Sequence, residues 1–281
     1  MRPGFVHEVD ESTPPLLIHQ GHRARRQRFP LGTKVVYPPI EPEVLAEPAA
    51  ELDAKLTAPL DATPLAEQLR PGMKLTITFS VGGARQHSDP RARVIEQVLT
   101  LAAAAGIDDV ELIAANGLQH KLSETDLQHV VGERVVRSFL GHGALRSHDA
   151  EDRDNLVEVA RTDRDEPIEL NRRVAESDLI VHVGLIEQHG TCGWSQITTG
   201  LAGTATIDAQ RGLAGVRDGQ VGERMAAALA GVLPVFVVEV VTADQPFGPN
   251  LGFLAAREWE WTIADLGSTN GIKVNGRRVA S

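Results

Sequence analysis

Three stretches of this sequence place chemically capable side chains just beyond apolar runs. The first spans Asn171 to Gly215, where the run Leu179 to Val183 leads into a Gly-, Thr- and Ser-rich loop opening with His189, Cys192 and Trp194. Open α/β sheets bind ligands in the crevice beyond the carboxyl ends of their strands, so a histidine there is positioned to act as a general base. The second is the loop Ala114 to Ser123, which carries Gln119 and His120 after the run Val110 to Ala115. A histidine can move a proton at neutral pH; a glutamine can only hydrogen-bond. The third, Ser80 to Arg85, follows the alternating run Lys74 to Ser80 and ends in an arginine, whose planar fork matches a carboxylate. These stretches supply two candidate bases, His189 and His120, and two candidate substrate-binding groups, Arg85 and Gln119.

Metal chemistry is the weaker reading of the same residues. His182 lies between Val181 and Val183, where a histidine satisfied within the sheet is the usual case. One Cys and one His three residues apart need further ligands from elsewhere, and Cys192 reads as a small buried residue. His148 and Asp149 are sequence neighbours, and neighbours point apart on most backbones. No metal site is expected from these residues.

For the three stretches to converge, the runs preceding them must be adjacent strands. Asp89 caps a helix over Pro90 to Ala105, with Pro90 at its first position and Val94, Val98, Leu101 and Ala105 on one face. It separates two apolar runs, and strand, helix, strand with short links is a right-handed βαβ unit. Ser123 with Asp126 signals a capped helix over Glu124 to Val131. Thr63 and Pro64 open a helix running to Leu69, and further helices are expected over Glu47 to Leu56, Arg172 to Glu176 and Gly219 to Ala230. Val135 to Leu140 is expected to be a strand, Leu156 to Ala160 and Pro167 to Leu170 a hairpin, and the β-branched run Leu233 to Thr242 an interior strand. The expected fold is α/β: three layers, with a largely parallel central sheet holding strands at 74–80, 110–115, 179–183 and 233–241, and flanking helices.

The chain has 281 residues, 42% apolar and 23% charged, which is ordinary globular usage. A net charge of −10 argues against nucleic acid or an anionic membrane as the partner, because phosphate contacts need a basic surface. No apolar run approaches the roughly 18 residues of a membrane span. The single cysteine precludes an internal disulfide and fits a reducing, cytoplasmic setting. Arg23, Arg25, Arg26 and Arg28 alternate as the solvated face of a strand, in a hairpin turning at Gln20 and Gly21.

The run NRRVAESDLIVHVGLIEQH, followed by GW and TGLAGTATI, resembles the region of the nickel-pincer lactate racemase family that carries an acid/base histidine and then a cofactor-bearing lysine. His189 falls on that histidine, and the lysine corresponds to Thr198 or Thr199. The position of a nickel-ligating histidine corresponds to Gln210 or Arg211, and no lysine occurs between Lys121 and Lys273. In the loop after Ala114 the family's second acid/base histidine aligns with Gln119, beside His120. Where the family has a D-D-x-T-R-P segment, this chain has Ser80 to Arg85. The segment GHGALRSHDAEDRDNLVEVART is similar to the family's N-H-D-A-E-D-P-D-N-L-V region.

The resemblance covers about residues 15–255, after a disordered lead at 1–14. It implies an isomerase acting on a small-molecule 2-hydroxy acid by hydride abstraction at C2 onto a nickel-pincer nucleotide, with Thr198 and Thr199 at the cofactor position and histidines moving the hydroxyl proton. It also implies a second α/β lobe, missing here or separate. The alternative is a catalytically degenerate homologue acting as a ligand-binding or interaction protein, suggested by the replaced lysine, histidine and aspartates. Residues 256–281 resemble the last strands of a forkhead-associated domain, through DLGSTNG and VNGR with a turn at Asn275 and Gly276, and read as a hairpin remnant.

Overall fold

The structure is a computed structural model that describes residues 5–20, 23–37, 47–82, 89–186, 193–240, 253–257, 260–264, 273–274 and 277–278. The chain divides into two compact units, one of Leu45–Thr242 and one of Met1–Val44 with Ala243–Ser281. In the latter, β1 (Phe5–Glu8) pairs antiparallel with β4 (Lys34–Tyr37), and β2 (Leu16–Gln20) with β3 (Arg23–Gln27). The expected hairpin is thus formed, with Arg25, Arg26 and Arg28 exposed.

The unit Leu45–Thr242 contains α1 (Pro48–Thr57), α2 (Leu65–Gln68), β5 (Lys74–Ser80), α3 (Pro90–Ala104), β6 (Asp109–Ala115), α4 (Glu124–Val131), α5 (Glu133–Phe139) and β7 (Leu145–Ser147). It continues through β8 (Leu156–Arg161), β9 (Pro167–Asn171), α6 (Arg172–Ala175), β10 (Leu179–Leu185), α7 (Trp194–Gly200), α8 (Thr204–Arg211), α9 (Leu213–Asp218), α10 (Val221–Ala230) and β11 (Val235–Val240). Five strands form one parallel sheet in the order β11-β10-β5-β6-β7. Strands β8 and β9 form the expected separate hairpin.

Helices cover both sheet faces, because each face carries its own apolar cluster. One cluster joins Leu75, Ile77, Phe79, Leu112 and Val181 to α1–α5 through residues such as Leu56, Leu65, Val98, Val131 and Val135. The other joins Ile113 and Ile180 to α6, α7, α8 and α10 through Val174, Ile197, Ile207 and Met225. This is the three-layer α/β arrangement read from the sequence.

Four local expectations are corrected. Val135 to Leu140 is not a strand: residues 133–139 form α5, since Val135, Val136, Phe139 and Leu140 recur at helical spacing and all pack into one cluster. Gly132, at φ 89°, supplies the break from α4. The Gly/Thr/Ser-rich segment is not all loop, because residues 194–200 form α7 and bury Ile197 and Thr198. β11 is a sheet edge rather than interior among the described residues, its apolar run being half-covered by the first cluster. Pro64 caps α2 in extended geometry instead of entering it. Strands β12 (Phe253–Arg257) and β13 (Glu260–Ala264), and β14 (Lys273–Val274) and β15 (Arg277–Arg278), form two antiparallel pairs separate from the five-stranded sheet.

The end of β5 is fixed by one buried arginine. Arg91 is 1% exposed, and its guanidinium donates to both Asp89 carboxylate oxygens, to the Ser80 carbonyl and, at 3.0 Å, to the Gly82 carbonyl. Asp89 also accepts from the Arg91 amide at 2.9 Å as the α3 N-cap. One side chain thereby joins the end of β5 to the start of α3. Replacing Arg91 with Leu leaves the Asp89 carboxylate buried without its cation, so the expected loss is about 3–5 kcal/mol of stability in urea unfolding. A loss below about 1 kcal/mol would show that the pair does not hold this junction.

Candidate functional site

Chain order places β6 and β7 on one side of β5, and β10 and β11 on the other. The order in which strands are added therefore reverses between β5 and β10, and ligands of open α/β sheets bind at such points, beyond the carboxyl ends of the strands. A cavity of about 460 Å³ opens beyond the carboxyl ends of β5 and β6, lined by Ser80 to Gly82 after β5, Ala115 to Gln119 after β6, Gln196, Thr199 and Gly200 of α7, and Ile207 and Arg211 of α8.

The loop after β6 reaches this cavity through close backbone contact with α7. Gly117 has φ 52°, its amide donates to the Gly200 carbonyl at 2.9 Å, and a Cβ there would lie 2.3 Å from the Thr199 carbonyl oxygen. Gly200 is equally constrained, since its Cβ would lie 2.7 Å from the Ala115 carbonyl oxygen. Only glycines permit this approach. It holds Asn116 on the cavity wall, 4% exposed. The Asn116 Nδ2 donates to the Gln119 carbonyl at 3.0 Å, while Oδ1 accepts no hydrogen bond among the described residues.

Beneath the cavity runs a chain of buried polar groups. Thr78 Oγ1 lies 2.9 Å from His182 Nδ1, His182 Nε2 lies 2.9 Å from Gln196 Oε1, and Gln196 Nε2 donates to the Leu185 carbonyl at 2.8 Å. The fixed carbonyl orients the Gln196 amide, so the network assigns the proton to Nε2 and leaves Nδ1 to accept from Thr78. Burial, opposed by the Gln196 hydrogen bond, drives the His182 pKa down to about 4. His182 is thus the satisfied sheet histidine of the sequence reading.

Of the residues singled out for chemistry, Gln119 lines the cavity and is exposed, while His120 faces the adjoining cavity of about 830 Å³ beside Arg91, Lys121 and His129. His189, Arg85 and Cys192 lie outside the described residues. Thr198 is buried, and its hydroxyl donates to Gln210 Oε1 at 2.9 Å. Thr199 donates to the Ser195 carbonyl at 2.7 Å and accepts from Arg211 Nη2 at 3.3 Å. The structure therefore brings Thr198 onto Gln210 and Thr199 onto Arg211, by setting α7 against α8. His148 and Asp149 form no dyad. His148 bonds the Ala202 carbonyl and Asn171, whereas Asp149 pairs with Lys121 at 2.8 Å. Burial lowers the His148 pKa.

Among the described residues no group of three or more His, Cys, Asp or Glu side chains is arranged to hold a metal ion, and no helix is long and apolar enough to cross a membrane. Asn116 and Arg211 were not read from the sequence as ligand-binding groups. The available signal was the Asn-Gly pair directly after an apolar strand, since strand ends are where such sites form.

The model of the lactate racemase N-terminal domain matches residues 24–218. No curated protein sequence matches the chain. Among solved structures, the chain is similar to the lactate racemase apoprotein from Thermoanaerobacterium thermosaccharolyticum, with a TM-score of 0.57 and 17% identity over 75% of this chain and 54% of that one. A Thermotoga maritima protein solved as a structural-genomics target has a TM-score of 0.55 and 14% identity, over 72% of this chain and 54% of its own. The chain spans about half the length of these solved structures.

The buried imidazole makes stability depend on pH with a defined sign. His182 has an ordinary value of 6.5 unfolded and about 4 folded, so between these values the unfolded chain binds a proton that the native chain does not. Its contribution is fully present above about pH 6.5 and is lost progressively as pH falls toward 4, on the order of 3 kcal/mol in total. His148 acts in the same direction. Urea unfolding from pH 7.5 to 4.5, with nitrogen-detected NMR of the ring, is expected to show falling stability and a neutral Nε2–H ring at pH 6. A titration of His182 near 6.5 would contradict the buried chain.

Proposed function

Because the chain belongs to the lactate racemase N-terminal domain family, we propose that its crevice binds a small 2-hydroxy acid without a covalently held nickel-pincer nucleotide. The observation carrying this reading is the pairing of Thr198 with Gln210 and of Thr199 with Arg211. These positions align with the lysine and nickel-ligating histidine of the racemase pattern. A lysine offers an amine through which a cofactor is attached; Thr198 offers a buried hydroxyl already donated to an amide. Nickel favours imidazole and sulfur donors, whereas a carboxamide is a weak ligand and a guanidinium is a cation that repels the metal. The residues present do not fit the cofactor.

Binding a hydroxy acid needs less than racemising it. It requires a cation for the carboxylate, a partner for the hydroxyl and a wall that excludes water. The crevice residues Gln119, Asn116 and Arg211 supply polar groups, and Ala115 and Ile207 supply apolar wall. Arg85 and His189, on the segments following β5 and β10, would add a second cation and a base. The single cysteine supports a reducing, cytoplasmic setting, and the acidic balance supports a small-molecule partner rather than nucleic acid.

An isomerase remains the second reading, favoured by the alignment of His189 with the family's acid/base histidine. Intact mass and nickel content of the chain co-expressed with cofactor-synthesis enzymes separate the two, followed by a chiral assay on lactate. The expected result is the bare polypeptide mass, nickel far below one equivalent, saturable lactate binding by calorimetry and no racemisation. Stoichiometric nickel with turnover abolished by His189→Ala would establish the isomerase instead.

A further inference from the structure

The crevice contains two groups whose bonding is incomplete, and they are complementary to different parts of one ligand. Arg211 lines the cavity, is exposed, and makes its one hydrogen bond among the described residues to Thr199 Oγ1 at 3.3 Å. It forms no ion pair there, in contrast to Arg91, Arg146, Arg173 and Arg224, each of which holds at least one carboxylate. Its guanidinium retains donors in a fork that suits a carboxylate.

Asn116 lines the same cavity and is almost wholly buried. The bond from its Nδ2 to the Gln119 carbonyl fixes the amide, so the atom without a partner among the described residues is the oxygen, and the partner it lacks there is a donor. The two residues are joined through α7. The backbone of Gly117, next to Asn116, packs on the Thr199 carbonyl, and the Thr199 hydroxyl meets Arg211. A bare anion without a proton donor, such as sulfate, would satisfy Arg211 but would set its oxygens against the Asn116 carbonyl. A carboxylate with a donor on the neighbouring carbon satisfies both.

The geometry points to Arg211 and Asn116 as the pair that selects the ligand of the crevice, the guanidinium taking the carboxylate and the Asn116 side-chain carbonyl accepting from the 2-hydroxyl. This assignment rests on the crevice being a 2-hydroxy acid site. It gives Arg211 a role in this chain unlike the metal-ligand role that its alignment implies. It also predicts a preference that a cation alone cannot give. A ligand without the hydroxyl leaves a buried acceptor unpaired, and sites built around such a bond reject the analogue that lacks it.

The test is calorimetry on the full chain with lactate and 2-hydroxy-4-methylpentanoate, their 2-deoxy analogues propanoate and 4-methylpentanoate, and lactamide. Wild type is expected to bind at least one hydroxy acid about ten-fold or more tighter than its deoxy analogue. Arg211→Gln is expected to weaken the acids about ten-fold or more and leave lactamide unchanged, with Arg211→Lys intermediate. Asn116→Leu is expected to remove the preference for the hydroxyl. Arg211 is exposed, so its variants keep the proposal testable if Asn116→Leu does not fold. Wild-type binding that neither Arg211→Gln nor Asn116→Leu changes would overturn this assignment and leave the hydroxy acid site standing. Absence of wild-type binding to every hydroxy acid would overturn the site and the assignment together.

Discussion

A central strand covered on both faces yet carrying Thr76, Thr78 and Ser80 must find a hydrogen-bond partner for each hydroxyl, because a buried unsatisfied polar group costs more than its bond contributes. Much of the unit Leu45–Thr242 is arranged around meeting that demand. Thr76 is met by Ser177 and Arg173 at the start of the sheet, and Ser80 by the Leu185 amide and Arg91 at its end. Thr78, in the middle, is met by His182, which requires Gln196 and so fixes the height and rotation of α7. The polar face of β5 thus positions the helix that forms one wall of the crevice.

The same constraint explains why the crevice has a defined shape at positions where the family pattern is not kept. Helix α7 is anchored from below by Gln196 and at its end by the packing of Gly200 on the loop after β6. Its residues facing α8, Thr198 and Thr199, are then free to differ so long as they find partners, and they find them there in Gln210 and Arg211. The scaffold of the family is retained by backbone packing and buried polar groups. The identity of the groups facing the crevice is a separate matter, set by side chains that contribute little to the fold.

What the sequence determined was whatever depends on periodicity and local capping. The strands Lys74–Ser80, Asp109–Ala115 and Leu179–Leu185 were legible because their runs alternate or are mostly apolar, and α3 and α4 because Asp89, Pro90, Ser123 and Asp126 are strong local signals. From those runs and caps followed the βαβ topology, the parallel sheet and the strand ends on which a site had to lie. Val135 to Leu140 misled, because four apolar residues in six satisfy both a strand and one buried helical face. The choice was made by Gly132 and by packing against the first core cluster.

Only the tertiary structure decided which side chains meet. That Thr198 faces Gln210 and Thr199 faces Arg211 depends on the angle between α7 and α8, which no local pattern encodes. That the Asn116 carbonyl is held without a partner among the described residues, while Gln119 and His120 beside it are exposed and His120 faces the neighbouring cavity, depends on Gly117 and Gly200 bringing two backbones together. Burial made His182 a neutral structural residue. The sequence carries the elements in their order; their relative placement comes from buried polar groups that each have few geometries in which they are satisfied.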